Sequence, residues 1–384
     1  MSASSTDYRE IIRSIADQVL KNCRECGSCE SDCEFLKKYG LPTELAKIFR
    51  DGLGTGSQIA YSCNLCGLCE AVCPEDINIG KLCLAVREHL VSEGKAPLPG
   101  HQTVKKTQEF VLSDAFRFVH PDPVKGKCER VFFPGCNLSG YAPSLVLKSY
   151  EYLCRRLNDT GIILGCCGAP NHFLGEDAEF RQNLIEIEKD IKTLGARQII
   201  VACPDCYRSM KENLLDMDIK SIYEVMLELG LPANIAGEQW TFSIHDSCTA
   251  RNVSGLRESV RVLIREMGYE IEEVDYSGEK ARCCGMGGMV PFIDFELAGN
   301  ITKRRADEFH FDIVSYCAGC REVFAMEKAS LHVLDLIFNP NWKAVRCQAT
   351  KTGKKRREAQ SQTKALLLEL LQNAKQEKAR GLEP

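Results

Sequence analysis

The residues best suited to chemistry in this chain are its cysteines, 22 among 384 residues. Eight of them form two runs of one pattern: Cys23, Cys26, Cys29 and Cys33, then Cys63, Cys66, Cys69 and Cys73. Ten more form a longer pattern that also occurs twice. The first copy is Cys136, Cys166-Cys167-Gly168 and Cys203-x2-Cys206; the second is Cys248, Cys283-Cys284-Gly285 and Cys317-x2-Cys320. Thiols at this density serve either as a disulfide scaffold in a secreted protein or as thiolate metal ligands in a reducing compartment. Disulfide scaffolds are mostly small, and the polar start of this chain has neither an apolar leader nor a twin arginine. Metal ligation in the cytoplasm is the reading that follows.

The short runs have the two-cluster ferredoxin spacing, in which three cysteines of a run hold one [4Fe-4S] cubane and the fourth crosses to the other. Cys23, Cys26, Cys29 and Cys73 are assigned to one cluster, and Cys63, Cys66, Cys69 and Cys33 to the second. Gly27 and Gly67 give the backbone room to wrap the clusters. Pro74 follows Cys73 as the pattern asks, whereas Glu34 follows Cys33. Amphipathic spacing predicts helices over 8–20, 43–50 and 79–90, with Cys83 packing in the last. This region resembles the α-helical ferredoxin of succinate dehydrogenase-type proteins. The glycine-rich stretch from Gly52 to Gly56 has no preceding strand and reads as a loop, not a nucleotide cradle.

The elements that position the longer motifs are duplicated too. Val146, Tyr150, Leu153, Cys154 and Leu157 share a helical face and match Leu256, Val260, Leu263, Ile264 and Met267. Cys154 therefore aligns with an isoleucine and is read as packing. Strand 131–133 answers 242–244, and 198–201 answers 312–315. Alternating strands and helices imply a parallel sheet covered by helices, with the cysteines at the carboxyl ends of the strands. Pro204 places Cys203-x2-Cys206 at a helix N-terminus, where free N–H groups and the helix dipole favour thiolates. Five cysteines per half permit a cubane with a spare thiol, a zinc site or a cluster of unusual geometry.

On these motifs the chain resembles the cysteine-rich CCG proteins, and most closely the fused catalytic subunit of heterodisulfide reductase. The likeness spans roughly residues 10 to 335. It implies a noncubane [4Fe-4S] cluster held by Cys136, Cys166, Cys167, Cys203 and Cys206, and a second held by Cys248, Cys283, Cys284, Cys317 and Cys320. It also implies that the paired sites reduce or form a disulfide, with electrons arriving through the two cubanes. His245 then stands where a proton donor to a leaving thiolate is expected, against the plainer reading of a strand-end histidine bonded to backbone. Arg251 and Arg282 flank the second set and are read as offsetting thiolate charge or meeting an anionic substrate, against a plain surface role. The alternative function is an electron relay between a flavoprotein dehydrogenase and a quinone or cytochrome b, without disulfide chemistry.

The expected architecture is α + α/β: a helical two-cluster ferredoxin followed by two pseudo-duplicated Rossmann-like subdomains. The boundaries are 1–100 for the ferredoxin, 101–127 for a linker, 128–237 and 238–338 for the cysteine-rich domains, and 339–384 for a basic, helical tail. Cys128 and Cys347 have no counterpart in the repeat. The tail, basic over 351–357 and leucine-rich over 363–371, is read as a docking helix or as a helix packed on its own domain. A formal charge of −4 gives no reason to expect nucleic acid. No apolar run is long enough to cross a bilayer, so membrane contact is at most peripheral and attachment is through a partner. No flavin, nicotinamide or haem motif is visible. The implied partners are a flavin-containing or electron-transferring flavoprotein subunit or a membrane cytochrome b, with a small-thiol or protein disulfide as substrate.

Overall fold

The computed structural model describes residues 7–52, 56–232 and 239–379, so Leu53, Gly54 and Thr55 of the glycine-rich stretch lie outside the described residues. The first region is helical, with no strand among its described residues before Phe118. Helix Tyr8–Asn22 starts at Asp7, whose carboxylate accepts from the N–H groups of Arg9 and Glu10. It packs on Pro42–Asp51 and Ile79–Ser92, burying Ile12, Ala16 and Val19 with Leu45, Phe49, Leu82 and Val86. All three predicted helices are present with slightly wider bounds.

Two sheets follow. The first contains β1 (Phe118–His120), β2 (Arg130–Phe133), β3 (Thr160–Leu164), β4 (Gln198–Val201) and β5 (Asp218–Ser221), in the order β1-β3-β2-β4-β5. The second contains β6 (Thr241–His245), β7 (Glu270–Glu272), β8 (Asp312–Ser315) and β9 (Ser330–His332), in the order β7-β6-β8-β9. Without β1 the two orders are the same, so the repeat read from the cysteines is a repeat of topology. Every pair is parallel except β1 with β3, which is antiparallel. The first sheet is therefore mixed, not purely parallel as expected. β1 and helix Gln102–Leu112 come from the 101–127 segment read as a linker. Ile162, Ile163, Leu164, Ile199 and Ile200 are fully or almost fully buried, as in strands covered by helices on both faces.

The tail is ordered as helix Gly353–Ala379, packed on helices Cys136–Tyr141 and Pro143–Arg156 of the first half. Thr363, Leu367 and Leu371 point into that contact and are buried. Cys83 and Cys128 are buried in apolar cores, Cys154 packs partly buried against one, and Cys347 is exposed. No helix among the described residues is long and apolar enough to cross a membrane.

One buried side chain joins the ferredoxin to both halves. Arg87 is fully buried, and its guanidinium donates to Ala60 O and Cys63 O in the ferredoxin region, Phe173 O in the first half and Gly288 O in the second. It lies 4.9 Å from the centre of the Tyr61 ring, whose hydroxyl donates to Leu174 O at 2.8 Å. Asn64 adds bonds to Gly285 O and Gly287 O at 3.0 and 2.9 Å. Glu88, next to Arg87, faces Asp177, with Arg181 also nearby. Burial, with Asp177 adding to it, pushes its carboxyl up to about 7.

Two outcomes follow from this interface. R87M strands four carbonyl oxygens and is expected to lose about 3 kcal/mol or more in denaturant unfolding, because each buried orphan costs roughly 1–3 kcal/mol. A change below about 0.5 kcal/mol contradicts the assignment. A carboxyl raised in the folded state stabilises fully below the ordinary carboxylate range and loses that contribution as pH rises through about 7. E88Q should therefore raise the unfolding temperature more at pH 8 than at pH 5.5; an equal gain at both is the contrary result.

Candidate functional site

The local fold brings the ferredoxin cysteines into two groups. Helices Ser28–Asp32 and Leu68–Ala71 begin directly after Gly27 and Gly67, which adopt φ of 75° and 72°. Each therefore turns the third cysteine of its run back toward the first two. Cys23, Cys26, Cys29 and Cys73 line one cavity together with Leu41, Pro42 and Ile77. Cys33 lies with Cys63, Cys66 and Cys69, and burial together with these thiols pushes its own thiol well up. The fourth cysteine of each run thus sits with the other run. Cys29 faces Cys69, so the groups adjoin. Cys26 is exposed and Cys63 buried, which puts the first group at the surface and the second against the rest of the chain. Cys83 touches the Cys63 thiol from inside the core.

In the cysteine-rich halves every motif follows a strand, all directly except Cys283-Cys284, which is separated from its strand by residues 273–282. Cys136 comes after β2, Cys166-Cys167 after β3 and Cys203 after β4; Cys248, Cys283-Cys284 and Cys317 come after β6, β7 and β8. Cys203 and Cys317 cap helices Pro204–Asn213 and Ala318–Phe324, with Cys206 and Cys320 in the first turns. Gly168 and Gly285 take φ of 80° and 103°, a backbone turn that a side chain would strain. A Cβ on Gly135 would lie 3.1 Å from Cys206 Sγ, so the space beside that thiol depends on the glycine.

The ten thiols form one line. It runs from Cys136 through Cys166, Cys167 and Cys206 to Cys203, crosses to Cys317, and continues through Cys320, Cys284 and Cys283 to Cys248. At the crossing, Cys203 Sγ, Cys317 Sγ and an Asp205 carboxylate oxygen lie within 4.8 Å of one another. Cys248 at the end of the line faces Cys66 of the ferredoxin. Hydrogen bonds between neighbouring thiols, with burial added, push Cys166, Cys203, Cys206, Cys248, Cys283 and Cys320 well up. The same bonds lower Cys136, hold Cys167 and Cys317 well down and bring Cys284 to about 6. All are free cysteines, and a water-poor, sulfur-only donor set fits iron–sulfur clusters. The two halves present these motifs to each other: Thr249, next to Cys248, hydrogen-bonds Asp205, and Asn137, next to Cys136, lies against Gly319.

The three residues expected to act beside the cysteines are all buried. His245 has a ring nitrogen within 4.8 Å of the Cys284 and Cys320 thiols; its Nδ1 accepts from Arg305 Nε at 3.4 Å, and Phe324 and Phe309 pack edge-on to it. Burial and the Arg305 charge lower it to about 3, so the ring is neutral at ordinary pH. Arg251 spans the line's end and the ferredoxin, donating to Cys66 O at 3.1 Å and Ala281 O at 2.6 Å. Arg282 donates to Asp32 O at 2.6 Å, pairs with Glu308 at 2.8 Å and stacks 3.8 Å from the Tyr276 ring centre. Its guanidinium is thus engaged by the domain contact. Asp205, which sequence reasoning passed over, stands at the crossing with burial holding its carboxyl up to about 7. Its place inside Cys203-x2-Cys206 was the available signal.

Comparison with known proteins agrees with this division of the chain. A 4Fe-4S dicluster domain family matches residues 16–78, and a cysteine-rich domain family, CCG, matches 130–211 and 242–325. One subunit of the fumarate reductase (CoM/CoB) of Methanothermobacter marburgensis is 25% identical, over 79% of this chain and 67% of its own. A dihydromethanophenazine:CoB–CoM heterodisulfide reductase subunit from Methanosarcina mazei is 25% identical, over 78% and 86%. EtfAB:quinone oxidoreductase of Syntrophomonas wolfei is 23% identical, over 70% of this chain but 43% of its own length. No solved structure matches. The chain thus joins a 4Fe-4S dicluster ferredoxin domain to two CCG domains and is a distant homologue, at about 25% identity, of iron–sulfur oxidoreductase subunits.

Proposed function

We propose that this chain is an iron–sulfur subunit that carries electrons one at a time from a partner to a paired site where a disulfide is reduced or formed, in the manner of heterodisulfide reductase. The observation that carries the reading is the contact between Cys203 and Cys317, which makes one paired site of two five-cysteine sets. Clusters bound by these cysteines would supply one-electron storage and iron able to take thiolate sulfur. Cys23, Cys26, Cys29 and Cys73 would hold one cubane, and Cys33, Cys63, Cys66 and Cys69 the other. Cys136, Cys166, Cys167, Cys203 and Cys206 would hold the first noncubane cluster, and Cys248, Cys283, Cys284, Cys317 and Cys320 the second.

Reducing a disulfide takes two electrons and two protons and yields two thiols, so two one-electron sites side by side match the stoichiometry. The exposed Cys26 group suits an electron-delivering partner, a flavoprotein or a membrane cytochrome b. Arg251 neutralises charge between Cys66 and Cys248, easing passage between the domains. His245, neutral and dry, is suited to orient or hydrogen-bond the sulfur of Cys284 and Cys320. Cys136 and Cys248 are only half-buried, which makes them the thiols of the line most open to a substrate.

The likeness to an EtfAB:quinone oxidoreductase favours a second reading, a relay to quinone with no disulfide chemistry. Iron and acid-labile sulfide separate the cases first. About sixteen of each per chain, from oxygen-free preparations, are expected for four [4Fe-4S] clusters; about eight contradict the paired site. Next, C167A and C284A should each abolish disulfide turnover while leaving the ferredoxin spin signals unchanged. Turnover surviving either change, or oxidised spin signals indifferent to added thiol, would leave the relay.

A further inference from the structure

The halves differ in how positive charge reaches the first cysteine of each motif. In the second half, Arg251 follows Cys248 by three residues and lies beside it. Its guanidinium donates to the carbonyl oxygens of Cys66, Glu279 and Ala281 and pairs with no carboxylate among the described residues. The position three after Cys136 is Ser139, so the first half carries no such arginine.

The tail helix Gly353–Ala379 brings one. Gln360 Nε2 donates to Cys136 O at 3.0 Å, and Thr363 Oγ1 donates to Ser139 O at 2.9 Å. One turn earlier, Arg356 donates to Asn137 Oδ1, directly beside Cys136. A Cβ on Gly140 would lie 2.8 Å from Arg356 Cγ, so this glycine leaves the clearance that lets the arginine reach in. Lys354 and Lys355 are exposed, whereas Arg356 is half-buried and forms no ion pair with any described carboxylate. Lys351 secures the same end of the tail to both halves, through Tyr141 O at 2.6 Å and Glu322 Oε2 at 2.8 Å.

We propose that Arg356 is the tail-borne counterpart of Arg251: a positioning residue that holds an uncompensated positive charge against Cys136 and raises the reduction potential of the first cysteine-rich site. The proposal rests on the reading that this site holds an iron–sulfur cluster. Reduction adds a negative charge, and a fixed cation held beside Cys136 by the Asn137 side chain, in a poorly solvated site, stabilises that state. On this account the basic tail completes a site that the first half alone leaves short of one charge.

The test is an anaerobic redox titration of the full chain followed by electron paramagnetic resonance, with iron measured on every sample. The first-site signal is the one lost in C167A. R356Q is expected to keep its iron and show a roughly tenfold lower reduced-to-oxidised ratio at that site at fixed potential, about 59 mV for one electron. The ferredoxin signals should stay in place, and R356K should stay within about threefold of wild type, since lysine keeps the charge. Should R356Q lose iron, G140A carries the test, because it displaces the arginine without removing it; the ratio should fall in the same direction. An unchanged first-site ratio in the iron-replete variant, or an equal shift of all signals, overturns the proposal. Wild-type protein with no first-site signal and only ferredoxin iron overturns the cluster reading, and this proposal with it.

Discussion

A guanidinium sealed from water with no carboxylate partner persists only where its donors find oxygen atoms. Arg87 finds them on four residues from three parts of the chain: Ala60 and Cys63, Phe173, and Gly288. That requirement ties the ferredoxin region to both cysteine-rich halves at one point. Electron transfer between redox sites needs fixed, short separations, and a ferredoxin free to swing would not hold Cys66 against Cys248. The same arginine sits behind Cys63, so the group that fixes the domains also sets charge near the inner ferredoxin thiols.

The duplicated halves meet through their motifs. Each half offers a first-cysteine loop and a C-x2-C helix start, and each loop lies on the other half's helix start, Thr249 against Asp205 and Asn137 against Gly319. This arrangement puts Cys203 beside Cys317 and leaves the ends of the thiol line, Cys136 and Cys248, in unlike surroundings. Cys248 faces the ferredoxin through Arg251, while Cys136 faces the tail through Gln360 and Arg356. The spatial order of the sites is therefore the surface group at Cys26, the inner group at Cys66, the second half, then the first.

Much of this was legible in the cysteines because their spacing is local chemistry. Two residues between successive thiols let a short turn face three of them to one site, and the C-x2-C pair of each cysteine-rich half follows a strand directly. The matching faces of Val146 and Leu256 likewise disclosed the repeat, and the sheets share one strand order. What the sequence concealed was non-local. β1 is three residues long in a segment that looked like a linker, and its antiparallel pairing with β3 has no pattern of its own. Arg251 and Arg282 read as groups for thiolates or an anionic substrate; Arg251 does lie beside the Cys66 and Cys248 thiols, while its bond to Cys66 O and that of Arg282 to Asp32 O come from domain docking, which the sequence did not disclose. Arg87 and Arg356 drew no individual reading, because nothing in a linear chain marks which carbonyl or amide will meet them.

The central claim is the order of the sites, with the second half standing between the ferredoxin and the first. It is tested most directly by rapid mixing of C284A with a reductant that enters through the ferredoxin, freezing at intervals and following each spin signal. The ferredoxin signals should appear at the wild-type rate, while the first-half signal is delayed at least tenfold, because the step through Cys283 and Cys284 is missing. A first-half signal rising at the wild-type rate in C284A would contradict it.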